Sequence, residues 1–171
     1  MERTTGIGSH ITPDELRAFQ RRTFQRGSKT YFNSSLFFPK EVRDRVFTLY
    51  AFVRRADDFV DAQPQDRDGF YRFRLYAEKA LGIHLPHLGA PVVPVETEAG
   101  LPSPEDQAVI EAYAELGRRL GFDPAWTVAF LDAMEADLTR SRYDSLEACL
   151  SYMYGSAEVI GLFMSRCMEL S

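Results

Sequence analysis

Cysteine is scarce in this 171-residue chain: there are two, Cys149 and Cys167, both in apolar, helix-like stretches. No CxxC and no paired Cys/His spacing occurs, which argues against a zinc site, and the pattern suits reduced, buried thiols. Histidine is also rare. His10, His84 and His87 fall in the tail or in loop-like sequence, and none has the ExxH partner that a di-iron bundle needs. A basic excess is missing too: the net charge is −5, so nucleic acid is not an expected partner. The local cluster Arg17, Arg21, Arg22 and Arg26 suits a solvated helix face or a phosphate contact equally well. No apolar run reaches the length of a membrane span, and Met1 to His10 lack the charged-then-apolar pattern of a signal peptide. These absences predict a soluble, cytoplasmic protein and leave contact with a membrane surface open. Strand-type alternation, internal repeats and low-complexity segments are absent as well.

Helical signals fill the chain. Residues 1–11 read as a flexible tail, and 12–171 as one helical domain large enough to bury a core. Thr12-Pro13-Asp14-Glu15 has the form of an N-cap, a first-turn proline and a capping box. The helix it opens fades near Gly27, and Gly27-Ser28-Lys29-Thr30 reads as a polar turn. From Pro39, the residues Val42, Val46, Leu49 and Val53 recur at three- and four-residue spacing, predicting a buried helical stripe that Pro64 ends. Further helices are predicted over 67–81, 104–120 and 124–139. Residues 82–103, rich in proline and glycine, read as a long surface loop. A last helix opens at Ser145 and runs past Met168 without a stop signal. Phe and Tyr number 13 and 8, enough to line either a core or an apolar cavity.

The densest chemistry is Asp57-Asp58-Phe59-Val60-Asp61. On a helix, steps of four, three and four place Tyr50, Arg54, Asp57 and Asp61 on one stripe, with Asp58 beside it. Like charges at that spacing repel, and they sit near a helix C-terminus, where the dipole disfavours them. A hard cation removes that penalty. Mg²⁺ commonly takes one or two carboxylates and completes its shell with substrate phosphates. Arg54, one turn earlier, is placed to organise a carboxylate or to reach a phosphate. By itself, DDxxD is equally compatible with a solvated acidic helix end. An EF-hand is a weak alternative, since it needs acids at alternating positions and a Glu at position twelve, and Asp66-Arg67-Asp68-Gly69 echoes only a fragment of that pattern.

Three blocks in order are more specific. Tyr50-Ala51-Phe52-Val53-Arg54-Arg55-Ala56-Asp57-Asp58-Phe59-Val60-Asp61 resembles the first aspartate-rich motif of the squalene and phytoene synthases. Ser28-Lys29-Thr30-Tyr31, followed by aromatics and Pro39, is similar to the serine-containing segment that precedes that motif. Met134 to Leu138, Arg142-Tyr143 and Tyr152 to Gly161 look like the central helices of the same family. The resemblance implies an all-α isoprenoid synthase bundle around a central cavity. It implies head-to-head (1′–1) condensation of two farnesyl or geranylgeranyl diphosphates through a cyclopropylcarbinyl diphosphate. It implies Mg²⁺, or Mn²⁺ in its place, held by Asp57, Asp58 and Asp61, with NADPH used only if the product is squalene. Ser28, Thr30, Tyr31 and Arg54 would then bind diphosphate, and Tyr50 and Tyr152 would act at the reacting centre. Ala157 and Gly161 would leave room for a prenyl chain, although small helical residues equally suit close helix packing. Asp137 matches a position near the site, and a helix-surface acid is the competing reading.

The family carries a second aspartate-rich motif that is not found in these 171 residues, so the expectation is a missing C-terminal half or a partner chain that supplies it. Glu158 departs from the small residue common at its position. The competing class is a non-catalytic, synthase-like helical subunit that binds a prenyl lipid or a partner. Terpene cyclases and head-to-tail synthases share DDxxD but match the other blocks poorly.

Overall fold

The computed structural model describes residues 11–83, 100–140 and 142–170, apart from the side chains of Thr30 and Tyr31. The predicted tail and most of the predicted 82–103 loop therefore lie outside the described residues. Among those described, every regular element is helical. In order they are α1 (Pro13–Gly27), α2 (Lys29–Ser35), α3 (Lys40–Asp61), α4 (Arg67–Ala80), α5 (Pro104–Leu120), α6 (Pro124–Thr139), α7 (Leu146–Met153), a π-helical turn (Tyr154–Glu158) and α8 (Val159–Cys167).

Caps set the starts of these helices. Thr12 and Glu15 form the reciprocal box: Glu15 N–H donates to Thr12 Oγ1 at 3.3 Å, and Thr12 N–H donates to Glu15 Oε2 at 2.8 Å. Asp66, Ser103, Asp123 and Ser145 accept first-turn amides of α4, α5, α6 and α7 at 2.9–3.1 Å. Gly121, at φ +66°, closes α5 in the left-handed conformation that glycine adopts without strain.

The central element is α3, which packs against α1, α4, α5, α6 and α8. Phe52, halfway along it, is fully buried. Its ring stacks on Tyr113 of α5 with centroids 3.8 Å apart and planes 7° from parallel, and it meets Phe73 at 5.2 Å and Phe130 at 6.1 Å. Around this aromatic centre, two guanidiniums tie helices together, that of Arg55 half-buried and that of Arg74 buried. Arg55 of α3 makes a fork onto Asp106 of α5, with Nε–Oδ1 at 2.6 Å and Nη2–Oδ2 at 3.0 Å. Arg74 of α4, 2% exposed, donates to Glu78 at 3.0 Å and reaches α6 through Glu135 at 2.6 Å and Asp132.

Two elements differ from the sequence reading. The polar Ser28–Thr30 stretch is not a free turn. Ser28 caps α1, and α2 begins at the next residue, with Phe32 N–H donating to Ser28 C=O at 2.9 Å. The cause is Phe32, which is buried between Phe24 (6.0 Å) and Phe47 (5.8 Å) and so requires a helical turn here. The last helix is not continuous either. It passes through a π-helical turn at Tyr154–Glu158 and stops at Cys167, with Glu169 at φ +56° and Leu170 N–H donating to Ser165 C=O at 2.9 Å. Arg45 of α3 secures that end by donating to Cys167 C=O at 3.3 Å and Glu169 Oε1 at 2.6 Å. A long-range arginine therefore does the work of the C-terminal glycine that the sequence lacks.

The Arg74 cluster yields a stability prediction. Arg74→Ala removes the cation that Glu78, Glu135 and Asp132 share, and removing one member of a buried ion cluster costs about 3–5 kcal/mol. Urea unfolding monitored by circular dichroism should show a midpoint shift of that size, and an unchanged midpoint would contradict the assignment of Arg74 as the α4–α6 clamp.

Candidate active site

The carboxylates lie where the apolar face of α3 runs out. Ala56, Phe59 and Val60 are buried, whereas Asp57 and Asp58 are half-buried and Asp61 is exposed. Burial pushes the Asp57 carboxyl up to about 6; the charges of Asp61, Asp58 and Asp137 add to the rise and Arg54 opposes it. Asp58 is already committed, 2.7 Å from the Arg54 guanidinium and 3.8 Å from that of Arg55. Its remaining capacity for a cation is therefore smaller than that of Asp57 and Asp61.

A second wall comes from α6 and α7. Tyr152 Oη donates to Asp137 Oδ2 at 3.0 Å, and its ring lies 5.0 Å from that of Tyr143. Burial and the Asp137 acceptor push the Tyr152 hydroxyl up to about 12. Asp137 itself is raised by burial and by Asp61, while the Tyr152 hydrogen bond opposes the rise. The shared charge effects place Asp137 with Asp57 and Asp61 in one acidic region spanning α3 and α6. Its spacing from the DDxxD motif in sequence carries no hint of this; the only signal was its match to a central block of the family.

Tyr50 joins the acidic region to an apolar cavity of about 420 Å³. The cavity is lined by Phe24, Phe38, Leu49, Val53, Ile160 and Met164, together with Tyr50 and Gly161. A Cβ on Gly161 would meet no neighbour, so the glycine leaves this wall open. Gly155 behaves differently. A Cβ there would come 2.2 Å from the Ala129 carbonyl, so this glycine serves close packing of the π-helical turn on α6. Ala157 is exposed and does not line the cavity. Ser28 sits half-buried at the junction of α1 and α2. The side chains of Thr30 and Tyr31 lie outside the described residues.

Among the described residues, no three His, Cys, Asp or Glu side chains converge as a preformed metal cage. The donor set instead suits a cation with an incomplete protein shell. Asp57 is disfavoured as an anion by burial and by three neighbouring carboxylates, a penalty that a divalent cation held by Asp57 and Asp61 would offset. Diphosphate oxygens would complete such a shell.

A carboxylate stripe beside an apolar cavity, in an all-α fold, is the architecture of an isoprenoid synthase. The chain belongs to the squalene/phytoene synthase family, whose profile matches residues 24–171. It is 27% identical over 147 residues to a phytoene synthase of Pseudescherichia vulneris, covering 86% of this chain and 45% of that protein. It is 26% identical over 146 residues to a 15-cis-phytoene synthase of a Paracoccus species (84% and 44%). It is 25% identical over 147 residues to one of Pantoea ananas (85% and 45%). The chain thus spans less than half the length of these curated relatives.

The Asp57 environment predicts a pH effect in the metal-free protein. An acid raised from 3.8 to about 6 binds more protons folded than unfolded between those values, so its penalty is absent well below pH 3.8, grows as the pH rises between the two values and is fully present above 6. Asp57→Asn removes the penalty. In EDTA the variant should exceed the wild type in unfolding free energy by about 1 kcal/mol at pH 7.5, a magnitude reduced by solvent screening, and the difference should shrink toward zero as the pH falls below 3.8. A wild type that is the more stable protein at pH 7.5 would contradict this.

Proposed function

We propose that the chain provides the diphosphate-ionising part of a head-to-head prenyltransferase active site. The observation that carries this reading is the adjacency, through Tyr50, of the Asp57–Asp61 carboxylates to the cavity lined by Gly161 and Met164. Such an arrangement takes an amphiphile with a charged head and a long apolar tail. Asp57 and Asp61 are the proposed Mg²⁺ (or Mn²⁺) ligands, with Asp58 holding Arg54 in register beside them. When bound, the ion neutralises charge that develops on a departing diphosphate. Arg54 and the hydroxyls of Ser28 and Thr30 are proposed to orient that diphosphate, with Tyr31 of the same segment as a further proposed contact. Leu49, Val53 and Ile160 exclude water from the allylic chain. The ring faces of Tyr50 and Tyr152 offer cation–π stabilisation to a carbocation. Tyr152, which donates to Asp137, is the better placed of the two to orient a leaving group or to relay a proton to that carboxylate.

In the proposed reaction the first prenyl diphosphate loses diphosphate, and the double bond of the second attacks the allylic cation. Loss of a proton then closes the cyclopropylcarbinyl diphosphate. The names of the relatives favour phytoene, made from two geranylgeranyl diphosphates, over squalene, which would require farnesyl diphosphate and NADPH. A second aspartate-rich motif, on a C-terminal segment or a partner chain, is proposed to face Asp57 and Asp61. This proposal rests on the share of the relatives that the chain spans. Among the described residues no helix is long and apolar enough to cross a membrane. Cytoplasmic location with peripheral membrane contact during product release is proposed on the chemistry of a hydrocarbon product.

The test is incubation with farnesyl or geranylgeranyl diphosphate and Mg²⁺, with and without NADPH, in the presence of the complementary segment. Asp57→Ala should lower Mg²⁺-dependent diphosphate affinity at least about tenfold, the loss of roughly 1.4 kcal/mol, and should abolish C30 or C40 product. Absence of product from the unsubstituted protein, together with Mg²⁺-dependent binding that Asp57→Ala leaves intact, would refute the proposal.

A further inference from the structure

Phe37 is the most exposed large apolar side chain among the described residues, at 90%, and its neighbour Leu36 is 46% exposed. Both lie on the turn that joins α2 to α3, between Ser35 and Pro39. Single exposed apolar side chains are common on protein surfaces, but two adjacent ones at a protruding tip call for a cause. The turn is firmly built. The amides of Leu36, Phe37 and Phe38 donate to the carbonyls of Asn33, Ser34 and Ser35 at 3.1–3.2 Å. Ser35, 2% exposed, donates its hydroxyl to Phe32 C=O at 2.6 Å. Phe32 and Phe38, on either side, pack into the core. The backbone therefore holds the Phe37 ring outward.

This turn stands at the end of α3 remote from the carboxylates: from Lys40 to Asp57 the helix rises about 25 Å at 1.5 Å per residue. The 420 Å³ apolar cavity occupies part of that interval. Tyr50 and Val53 line it on the carboxylate side, and Ser34, Ser35 and Phe38 line it at the turn. One short stretch of chain thus has an apolar cavity on its inner side and Leu36 and Phe37 on its outer side. Leu170, 60% exposed, lies at the same end, because Arg45 in the second turn of α3 holds Cys167 C=O and Glu169 just before it. Three side chains are too few to hold a second copy, since a stable interface covers about 800 Å² per partner. Charge offers no adhesion either: the chain carries −5, and Lys40 beside the turn is paired with Asp44 at 2.8 Å. A protruding apolar tip fits a fluid surface that closes round it, and a hydrocarbon in the cavity needs an apolar phase to enter.

We propose that the α2–α3 turn is a wedge that docks on a lipid bilayer, with Leu36 and Phe37 entering the boundary between headgroups and acyl chains. The wedge sets the Ser34–Phe38 end of the cavity against the membrane and leaves the Asp57–Asp61 carboxylates on the water side, where a diphosphate departs. Two inserted side chains give a shallow, reversible contact. The inference rests on the functional reading above for what leaves the cavity, and it adds the face through which the membrane is met; the wedge itself stands on the exposure of Leu36 and Phe37.

Co-sedimentation with phosphatidylcholine vesicles tests it, on the chain together with its complementary segment. The unsubstituted protein should partition onto these uncharged vesicles. Phe37→Asp should partition at least about tenfold more weakly, and Phe37→Leu should keep most of the binding. High salt should leave the binding unchanged, because the contact is apolar. Thermal unfolding of Phe37→Asp should match the wild type, since the ring stands outside the fold. No partitioning of the unsubstituted protein, equal partitioning of Phe37→Asp, or release by salt would each overturn the proposal. So would self-association without vesicles, or assembly with the complementary segment, that Phe37→Asp abolishes, because another protein surface would then cover the turn. Should Phe37-dependent vesicle binding hold while no C30 or C40 product forms, the functional reading falls and the membrane contact stands. Should product form while Phe37→Asp binds vesicles as the wild type does, the wedge falls and the functional reading stands.

Discussion

One constraint organises this molecule: α3 must be buried along most of its length and yet end in carboxylates. The fold meets it by rotation around the helix. The face carrying Ala51, Phe52, Ala56 and Phe59 is enclosed by the aromatic rings of α4, α5 and α6, while Tyr50, Asp57 and Asp61 lie on a neighbouring stripe. Arginine mediates between the two faces. Arg55 turns toward Asp106 and the interior, and Arg54 turns toward Asp58. Two adjacent residues of one type thus have opposite duties, one holding helices together and the other standing beside a reactive surface.

Charge is distributed unevenly for the same reason. The buried clusters around Arg74 and Arg55 bring cations and carboxylates together. The acidic region at Asp57, Asp61 and Asp137 is short of cations, and Arg54 is the one that opposes the rise at Asp57. An imbalance of this kind costs folding free energy, and it is the kind that a bound divalent cation relieves. The tyrosines follow the same division. Tyr113 is sealed in the core against Thr127 at 2.7 Å, whereas Tyr50 and Tyr152 have rings in apolar surroundings and hydroxyls near acids.

Much of this was legible in the sequence where the physics is local. Thr12, Pro104, Asp123 and Pro124 mark helix starts by themselves, and the spacing of Val46, Leu49 and Val53 exposes the buried side of α3. The stripe of Tyr50, Arg54 and Asp57 follows from helical periodicity alone. What remained hidden depends on contacts between distant residues. The α2 turn exists because Phe32 finds Phe24 and Phe47, and α8 stops where Arg45 reaches it across 122 positions of the chain. The membership of Asp137 in the acidic region is equally invisible to spacing, since it requires α6 to cross α3 at one particular level. Gly155 and Gly161 look alike in sequence and differ only in what stands opposite them.

The π-helical turn between Tyr152 and Gly161 has a geometric consequence. In an uninterrupted α-helix, nine residues at about 100° each would leave the two side-chain directions roughly 180° apart. A π-turn absorbs one residue without advancing the helix, which reduces the angle to roughly 80°. That lets a single run of helix present Tyr152 to Asp137 and Gly161 to the apolar cavity, two surfaces that adjoin rather than oppose each other. The extra residue in this turn acts as a phase setting. Without it, the polar and apolar walls of the site would face away from one another, although every side chain in them were unchanged.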